Sequence, residues 1–194
     1  MKGLPIFNQR ILAKKVCKGS AVIFPTDTLP AIGAKPENCS LIWNLKKRSM
    51  KKPLILMGSD FNQFSGLIPK DLTQIALDIA EKYWPGALTM ILPTSGRIVD
   101  LLNPNGMNLG FRIPLHSLAR EFLKTTGPLA TTSANLSGES PSLSPYKISK
   151  IFPNVPILGP LPWVNIIGSP STVITLSSDM KWQTVRQGKI RLSQ

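Results

Sequence analysis

The sequence has too few of the usual metal ligands to suggest a metal centre. It contains two cysteines, Cys17 and Cys39, and a single histidine among 194 residues. The two cysteines lack the paired spacing of a zinc or haem site. A chain of this length buries enough surface to fold without disulfides. We therefore predict no protein-bound metal and expect a reduced, cytoplasmic compartment.

Membrane spans and glycine-rich phosphate loops are missing as well. No segment approaches the roughly 20 apolar residues that cross a bilayer, so we expect no membrane partner. The patterns G-x-x-x-x-G-K-[ST] and G-x-G-x-x-G do not occur, which disfavours ordinary NTPase and dinucleotide-binding folds. Paired carboxylates of the kind that hydrolases use do not stand out either.

Acidic residues are scarce in this chain. It has 10 of them against 23 basic residues, a formal net charge of +13. That charge is more than solubility requires and indicates an anionic partner. A generally basic proteome would explain it without any role for nucleic acid, so both interpretations stay open.

Short apolar runs alternate with helical patterns along the chain. Strands are predicted over residues 21–24, 53–57, 88–92, 109–113 and 129–135, and helices over 71–84, 97–102 and 117–124. Beyond residue 145, short strands alternate with proline-rich turns. Because there is no internal repeat and no long linker, we expect residues 1–194 to form one α/β domain.

The most distinctive segment is a basic cluster at residues 46–52. Five of its seven positions are cationic, namely Lys46, Lys47, Arg48, Lys51 and Lys52. The cluster lies between a helix candidate and a strand candidate, so its cations should occupy a fixed place in the fold. Such a place suits the phosphates of a nucleotide or of a nucleic acid backbone. The alternative is a solvated surface cluster.

Arg112 lies within a strand-like apolar run, where a guanidinium is costly unless an anion meets it. No acidic residue lies within eight positions on either side. A ligand carboxylate or phosphate is therefore the predicted partner, in preference to an internal ion pair.

A cluster of hydroxyl and amide side chains follows the predicted strand at 129–135. Such groups can hold phosphate oxygens or a base without acid–base chemistry, although Ser, Asn and Gly are also ordinary turn residues. The cluster contains Thr131, Thr132, Ser133, Asn135 and Ser137.

In order, these pieces resemble the YrdC-like family of threonylcarbamoyl-AMP synthases, over about residues 25–188. The resemblance is carried by Pro25-Thr26-Asp27-Thr28, Lys46-x-Arg48, Lys52-Pro53-Leu54, Trp84-Pro85-Gly86, Arg112-x-Pro114, Ser133-x-Asn135 and Ser171-Thr172-Val173. It implies a single YrdC-like domain with a twisted mixed β-sheet, flanking helices and a deep basic groove.

The resemblance also implies a reaction and its participants. L-threonine, bicarbonate and ATP, with Mg²⁺, would give threonylcarbamoyl-AMP and pyrophosphate. A partner transferase complex would then modify tRNA. No general base is needed, because positioning and charge stabilisation suffice.

Carried over by position, the resemblance implies two groups of site residues. The ATP-binding positions are Lys46, Arg48, Lys52, Asn135 and Arg186, of which Lys46 and Arg48 would be catalytic. The threonine-binding positions are Thr28, Arg112, Ser133 and Ser171, with Arg112 meeting the threonine carboxylate. The loop at residues 136–145 would lie near the nucleotide.

The chain departs from the family pattern mainly on the amino-acid side of the site. Leu29 is followed by Pro30, where the family shows an aromatic residue and then glycine. Met57 stands where a histidine commonly faces threonine, and Ser49 where a proline commonly follows the arginine. ATP binding is therefore better supported by the sequence than threonine specificity.

Two other functions remain open from the sequence. One is a non-catalytic module that binds tRNA or double-stranded RNA directly through the basic groove. The other is an enzyme of the same scaffold acting on another carbamoyl compound, as in the hydrogenase-maturation relatives, which carry this domain within much longer chains.

Overall fold

A mixed β-sheet runs through the whole protein. In the computed structural model, which describes residues 4–192, ten strands join in the order β1-β8-β2-β3-β7-β4-β6-β5-β9-β10. The pairs β1/β8, β2/β8, β4/β6 and β5/β9 are parallel and the other pairs are antiparallel. The predicted α/β class with a mixed sheet is confirmed.

The strands are short, and most of their residues are buried. They are β1 (Ile6–Phe7), β2 (Val22–Phe24), β3 (Ala31–Ala34), β4 (Ile55–Met57), β5 (Leu88–Pro93), β6 (Asn108–Arg112), β7 (Leu129–Ser133), β8 (Ile157–Leu158), β9 (Thr172–Leu176) and β10 (Trp182–Arg186).

Six α-helices flank the sheet within the described residues. They are α1 (Gln9–Cys17), α2 (Ser40–Lys46), α3 (Lys70–Tyr83), α4 (Arg97–Leu102), α5 (Ser117–Thr126) and α6 (Pro145–Ile151). Single 3₁₀ turns span Pro36–Asn38 and Phe61–Phe64.

The helices divide between two apolar cores. The larger core packs α2, α3, α4 and α6 against one face of the sheet. On the other face, α1 and α5 cover only the strands near one end, where Leu12 and Phe122 pack with Phe24 and Leu129. Among the described residues, no helix covers the rest of that face. The central strands there form the floor of a cavity.

The strong periodic patterns were predicted correctly, and the weak ones were missed. Helices α3, α4 and α5 match their predictions to within two residues. Strand β3 was not predicted because its Ala-Ile-Gly-Ala sequence has no alternation. Helix α6 was not predicted either, although Ser144 caps its N-terminus by accepting from the Lys147 N–H at 3.4 Å and Pro145 takes the first helical position. Both features are standard start signals.

None of the helices within residues 4–192 combines the length and apolar character needed to span a membrane.

A candidate nucleotide and amino-acid site

A central cavity of about 430 Å³ opens on the part of the sheet that the helices leave free. Its floor comes from four adjacent strands. In the sheet register, Thr131 of β7 lies opposite Ile55 of β4, Ile55 opposite Gly110 of β6, and Gly110 opposite Ile91 of β5. Since register partners point to the same face, these four residues lie in one row and all of them line the cavity.

Gly110 keeps this floor low. A Cβ atom at position 110 would lie 2.8 Å from Ile55 Cγ2 and 3.4 Å from Thr89 Cγ2. A larger residue could be accommodated only if Ile55 moved. Gly110 therefore contributes to the volume of the cavity as well as to the packing of β6.

Arg112 lies at one end of the cavity and is 4% exposed. Its Nη2 donates to Asp27 Oδ1 at 2.7 Å, its Nη1 donates to Thr28 Oγ1 at 2.7 Å, and its Nε donates to the Gly86 carbonyl at 3.2 Å. The prediction that Arg112 lacks a counter-ion within the chain is thus wrong, because Asp27 is brought to it by the turn after β2. Burial lowers the pKa of Arg112, and Asp27 opposes that shift.

Arg112 nevertheless keeps capacity for a ligand. A guanidinium has five N–H donors, and the three bonds above leave one N–H on each terminal nitrogen. Two such donors suit a carboxylate or phosphate group. The internal ion pair fixes the position of the guanidinium and leaves two of its N–H groups for a ligand.

Ser171 and Arg186 form the wall beside this end. Arg186 Nε and Nη2 donate to the Ser171 carbonyl at 3.2 and 2.9 Å, and Nη2 also lies 3.3 Å from Ser171 Oγ. Ser171 Oγ is 2.9 Å from Thr89 Oγ1. These contacts tie the exposed edge strand β10 to a buried hydroxyl pair at the cavity.

Arg48 stands at the other end of the cavity, just after α2 ends. Lys47 ends the helix in the left-handed conformation, with φ of 49°, and this turns the chain so that Arg48 reaches the cavity. Arg48 donates to the Lys52 carbonyl at 3.3 Å and to the Pro53 carbonyl at 3.1 Å. Burial lowers the pKa of Arg48.

Lys46 is buried in the protein and 1% exposed. Its ammonium donates to the carbonyl oxygens of Ser133 and Asn135. Desolvation, followed by the charge of Arg48, lowers the pKa of Lys46 to about 8. Lys46 therefore holds the end of β7 and the start of the following loop, directly beside the cavity.

Asn135 anchors the loop at residues 136–145. Its amide donates to the carbonyls of Leu136 and Glu139 at 2.8 and 2.7 Å, and its Oδ1 accepts from Ser133 Oγ at 2.5 Å. The Ser137 N–H donates to the Lys46 carbonyl at 3.1 Å. The start of the loop is thereby fixed to α2.

The cavity brings together most of the residues that the sequence predicted for the site. Those that line it are Thr28, Arg48, Arg112, Ser133, Ser171 and Arg186. The lining does not include Lys46, Lys52 or Asn135, so the predicted contacts of these three with ATP stay predictions. Met57 lines the cavity beside Arg112 and also packs in the core beneath α5.

Several lining residues were given no role from the sequence. Thr26, Thr89, Asn103 and Asn108 all border the cavity. Thr26 belongs to one of the quoted family motifs, but a single hydroxyl carries no distinctive signal by itself. The role of Asp27 was missed because the search for acidic partners covered only the neighbourhood of Arg112 in the sequence.

Among residues 4–192, no three His, Cys, Asp or Glu side chains come together in a way that could hold a metal ion. The cavity is lined instead by cations, hydroxyls, amides and apolar groups. This donor set favours anionic ligands.

A family model described as "Telomere recombination", the Sua5/YciO/YrdC model, matches residues 14–188. The chain belongs to the Sua5/YciO/YrdC family. That match extends the resemblance seen in the motifs toward the N-terminus, into α1, and agrees with it at the C-terminal end.

Two structures of P. abyssi Sua5 are similar to this chain. A complex with L-threonine has a TM-score of 0.84 at 27% identity and covers 93% of this chain and 56% of that one. A doubly substituted form has a TM-score of 0.85 at 28% identity, covering 96% and 61%. This family member thus spans about three fifths of the length of the Sua5 chains it matches.

E. coli YciO has a similar fold and a similar length. Its structure has a TM-score of 0.78 at 23% identity and covers 97% of this chain and 96% of that one. The YrdC-like fold is therefore found in a chain of about this length as well as in the longer Sua5.

Proposed function

We propose that this Sua5/YciO/YrdC family member is a threonylcarbamoyl-AMP synthase acting toward tRNA threonylcarbamoyladenosine. The observation that carries this proposal is a single cavity with Arg112, which keeps two free N–H groups, at one end and Arg48 at the other. One end suits the carboxylate of an amino acid and the other suits phosphates. The L-threonine complex of P. abyssi Sua5 supports the choice of amino acid.

The chemistry fits a site that offers cations and hydroxyls. The amine of L-threonine captures bicarbonate as a carbamate, with loss of water. A carbamate oxygen then attacks the α-phosphorus of ATP, the bond to the β-phosphate breaks, and pyrophosphate leaves with its electron pair. Arg112 would hold the threonine carboxylate. Arg48, at the other end, would stabilise charge on the β- and γ-phosphates, while Arg186, beside Arg112, would stabilise charge on the α-phosphate that the carbamate attacks.

Mg²⁺ would enter with ATP. The described residues gather no cluster of acidic ligands, so phosphate oxygens and water would coordinate the ion, as is common for nucleotide-bound magnesium. The bound ion would neutralise phosphate charge. The product would pass to a transferase complex that acts on tRNA.

The direct test is pyrophosphate release with ATP, L-threonine and bicarbonate, each omitted in turn. Release should require all three, and Arg48→Ala should lower it by about tenfold or more because a charge-assisted contact is lost. Arg10→Ala removes an exposed cation outside the central cavity and serves as the matched control. Release that is independent of L-threonine would overturn the proposal.

A second candidate is an RNA-binding module, favoured by the net charge of +13. In that case tRNA or double-stranded RNA should bind without turnover, and affinity should fall steeply between about 50 and about 200 mM salt. Salt-insensitive binding, or none, would remove this candidate.

A further inference from the structure

The hydroxyl of Thr28 has its direction fixed by its neighbours. Thr26 Oγ1 lies 2.7 Å from the Leu29 carbonyl oxygen and 3.0 Å from Thr28 Oγ1. A carbonyl oxygen can only accept. Two oxygens 2.7 Å apart with no hydrogen between them would repel, so the single hydroxyl hydrogen of Thr26 must lie on the Leu29 carbonyl.

This assignment decides the neighbouring contact. Because Thr26 has no second hydrogen to give, the bond between the two threonines is donated by Thr28. The backbone N–H groups of Thr28 and Leu29 also approach Thr26 Oγ1, at 3.2 and 3.3 Å. These two longer contacts share one acceptor position. The other takes the Thr28 hydrogen, since two hydroxyl oxygens 3.0 Å apart with no hydrogen between them would repel. Both threonines are buried, at 1% and 3% exposure.

The Thr28 hydroxyl can then only accept a hydrogen bond from a ligand. It accepts from Arg112 Nη1 at 2.7 Å and donates its only hydrogen to Thr26. A hydroxyl oxygen has two acceptor positions, so one lone pair remains for a ligand. Thr28 lines the central cavity and presents an acceptor there, with no donor.

We propose that Thr26 is a positioning residue that makes Thr28 an acceptor, so that this end of the cavity selects ligands with an N–H or O–H donor near the carboxylate bound by Arg112. The inference rests on the proposed function in taking the ligand to be an amino acid. The inference adds Thr26 as a residue that affects ligand specificity by holding the Thr28 hydroxyl. The Thr26 hydroxyl itself is fully hydrogen-bonded within the turn.

The test uses two pairs of ligands, and in each pair the second ligand lacks one hydroxyl hydrogen at unchanged net charge. L-threonine is compared with O-methyl-L-threonine, and (S)-2-hydroxybutyrate with (S)-2-methoxybutyrate. Dissociation constants are measured by calorimetry on protein saturated with a non-hydrolysable ATP analogue. In the wild-type protein at least one pair should differ by about tenfold or more, the penalty for facing two acceptors in a buried site.

Two variants separate positioning from general loss of structure. Thr26→Val removes the acceptor that holds the Thr28 hydrogen, so Thr28 can turn and donate, and the discrimination within that pair should fall at least threefold toward unity. Thr26→Ser keeps the hydroxyl and should retain the wild-type ratio. Unchanged affinity for the ATP analogue in both variants shows that they fold.

The outcomes distinguish this inference from the proposed function. If the wild-type protein binds no L-threonine, the proposed function fails. If it binds L-threonine but neither pair discriminates, or if Thr26→Val keeps the full ratio, the role of Thr26 is refuted while the proposed function stands.

Discussion

Asp27 and Arg112 form a buried ion pair although 85 positions separate them in the sequence. Their side chains are 2.7 Å apart, and each is 5% exposed. Asp27 Oδ1 also accepts from the Leu115 N–H at 3.0 Å. The carboxylate therefore fixes both the end of β6 and the guanidinium that faces the cavity.

Removing the carboxylate should be strongly destabilising. In Asp27→Asn, Arg112 keeps its charge in a buried place without a counter-ion, and such losses cost about 3–5 kcal/mol. Urea unfolding should show the drop in the free energy of unfolding. Asp71→Asn, at an exposed position, should lose less than about 1 kcal/mol.

The same pair can be tested for coupling. The double variant Asp27→Asn with Arg112→Met should lose less stability than the two single variants added together, since residues in contact are not independent. Additive losses would show that the two side chains act separately.

This ion pair marks the limit of what the sequence could predict. Arg112 was correctly expected to need an anion, because the cost of a buried charge depends only on its surroundings. Which anion it meets depends on strand order. The turn at residues 25–28 reaches Arg112 only because β2 and β3 join the sheet beside β7 and β4, and no local pattern encodes that order.

Lys46 is a second residue whose surroundings the sequence could not predict. The sequence placed it in a basic cluster at a fixed place in the fold and predicted that it binds ATP. The last turn of α2 buries it, and carbonyl oxygens of Ser133 and Asn135 bind its ammonium; its contact with ATP stays a prediction. Arg48, two positions later, reaches the cavity because Lys47 ends the helix in a left-handed conformation.

The lowered pKa of Lys46 predicts a pH-dependent stability. The folded value of about 8 lies below the ordinary 10.5, so between these values the unfolded chain binds more protons than the folded one. The contribution of Lys46 to the free energy of unfolding should therefore rise with pH from about 8 to about 10.5 and be constant below this window.

The measurement is denaturant unfolding at several pH values, for the wild-type protein and Lys46→Met. The stability of the wild type relative to the variant should increase across the window, because the variant has no proton to release. Lys52→Met controls for the loss of one cation from the same cluster. A difference that stays constant with pH would contradict the prediction.

Gly110→Ala should damage the cavity floor. The new Cβ would lie 2.8 Å from Ile55 Cγ2, closer than side chains pack, and overpacking of this kind costs about 1–3 kcal/mol. Thermal unfolding and binding of an ATP analogue would both report the change. The second substitution Ile55→Ala should recover part of the stability by removing the clashing methyl group, and failure to do so would place the strain elsewhere.

Arg186→Lys should separate the two halves of the site. Arg186 donates two hydrogen bonds to the Ser171 carbonyl, and a lysine ammonium cannot reproduce that planar contact. If Arg186 also holds phosphate as proposed, KM for ATP should rise by about tenfold. If it only positions Ser171, KM for L-threonine should rise alone.

Arg191→Lys, an exposed arginine outside the central cavity, is the matched control. If Arg186→Lys and the control have the same kinetics, the contact between Arg186 and Ser171 is not needed to bind either substrate.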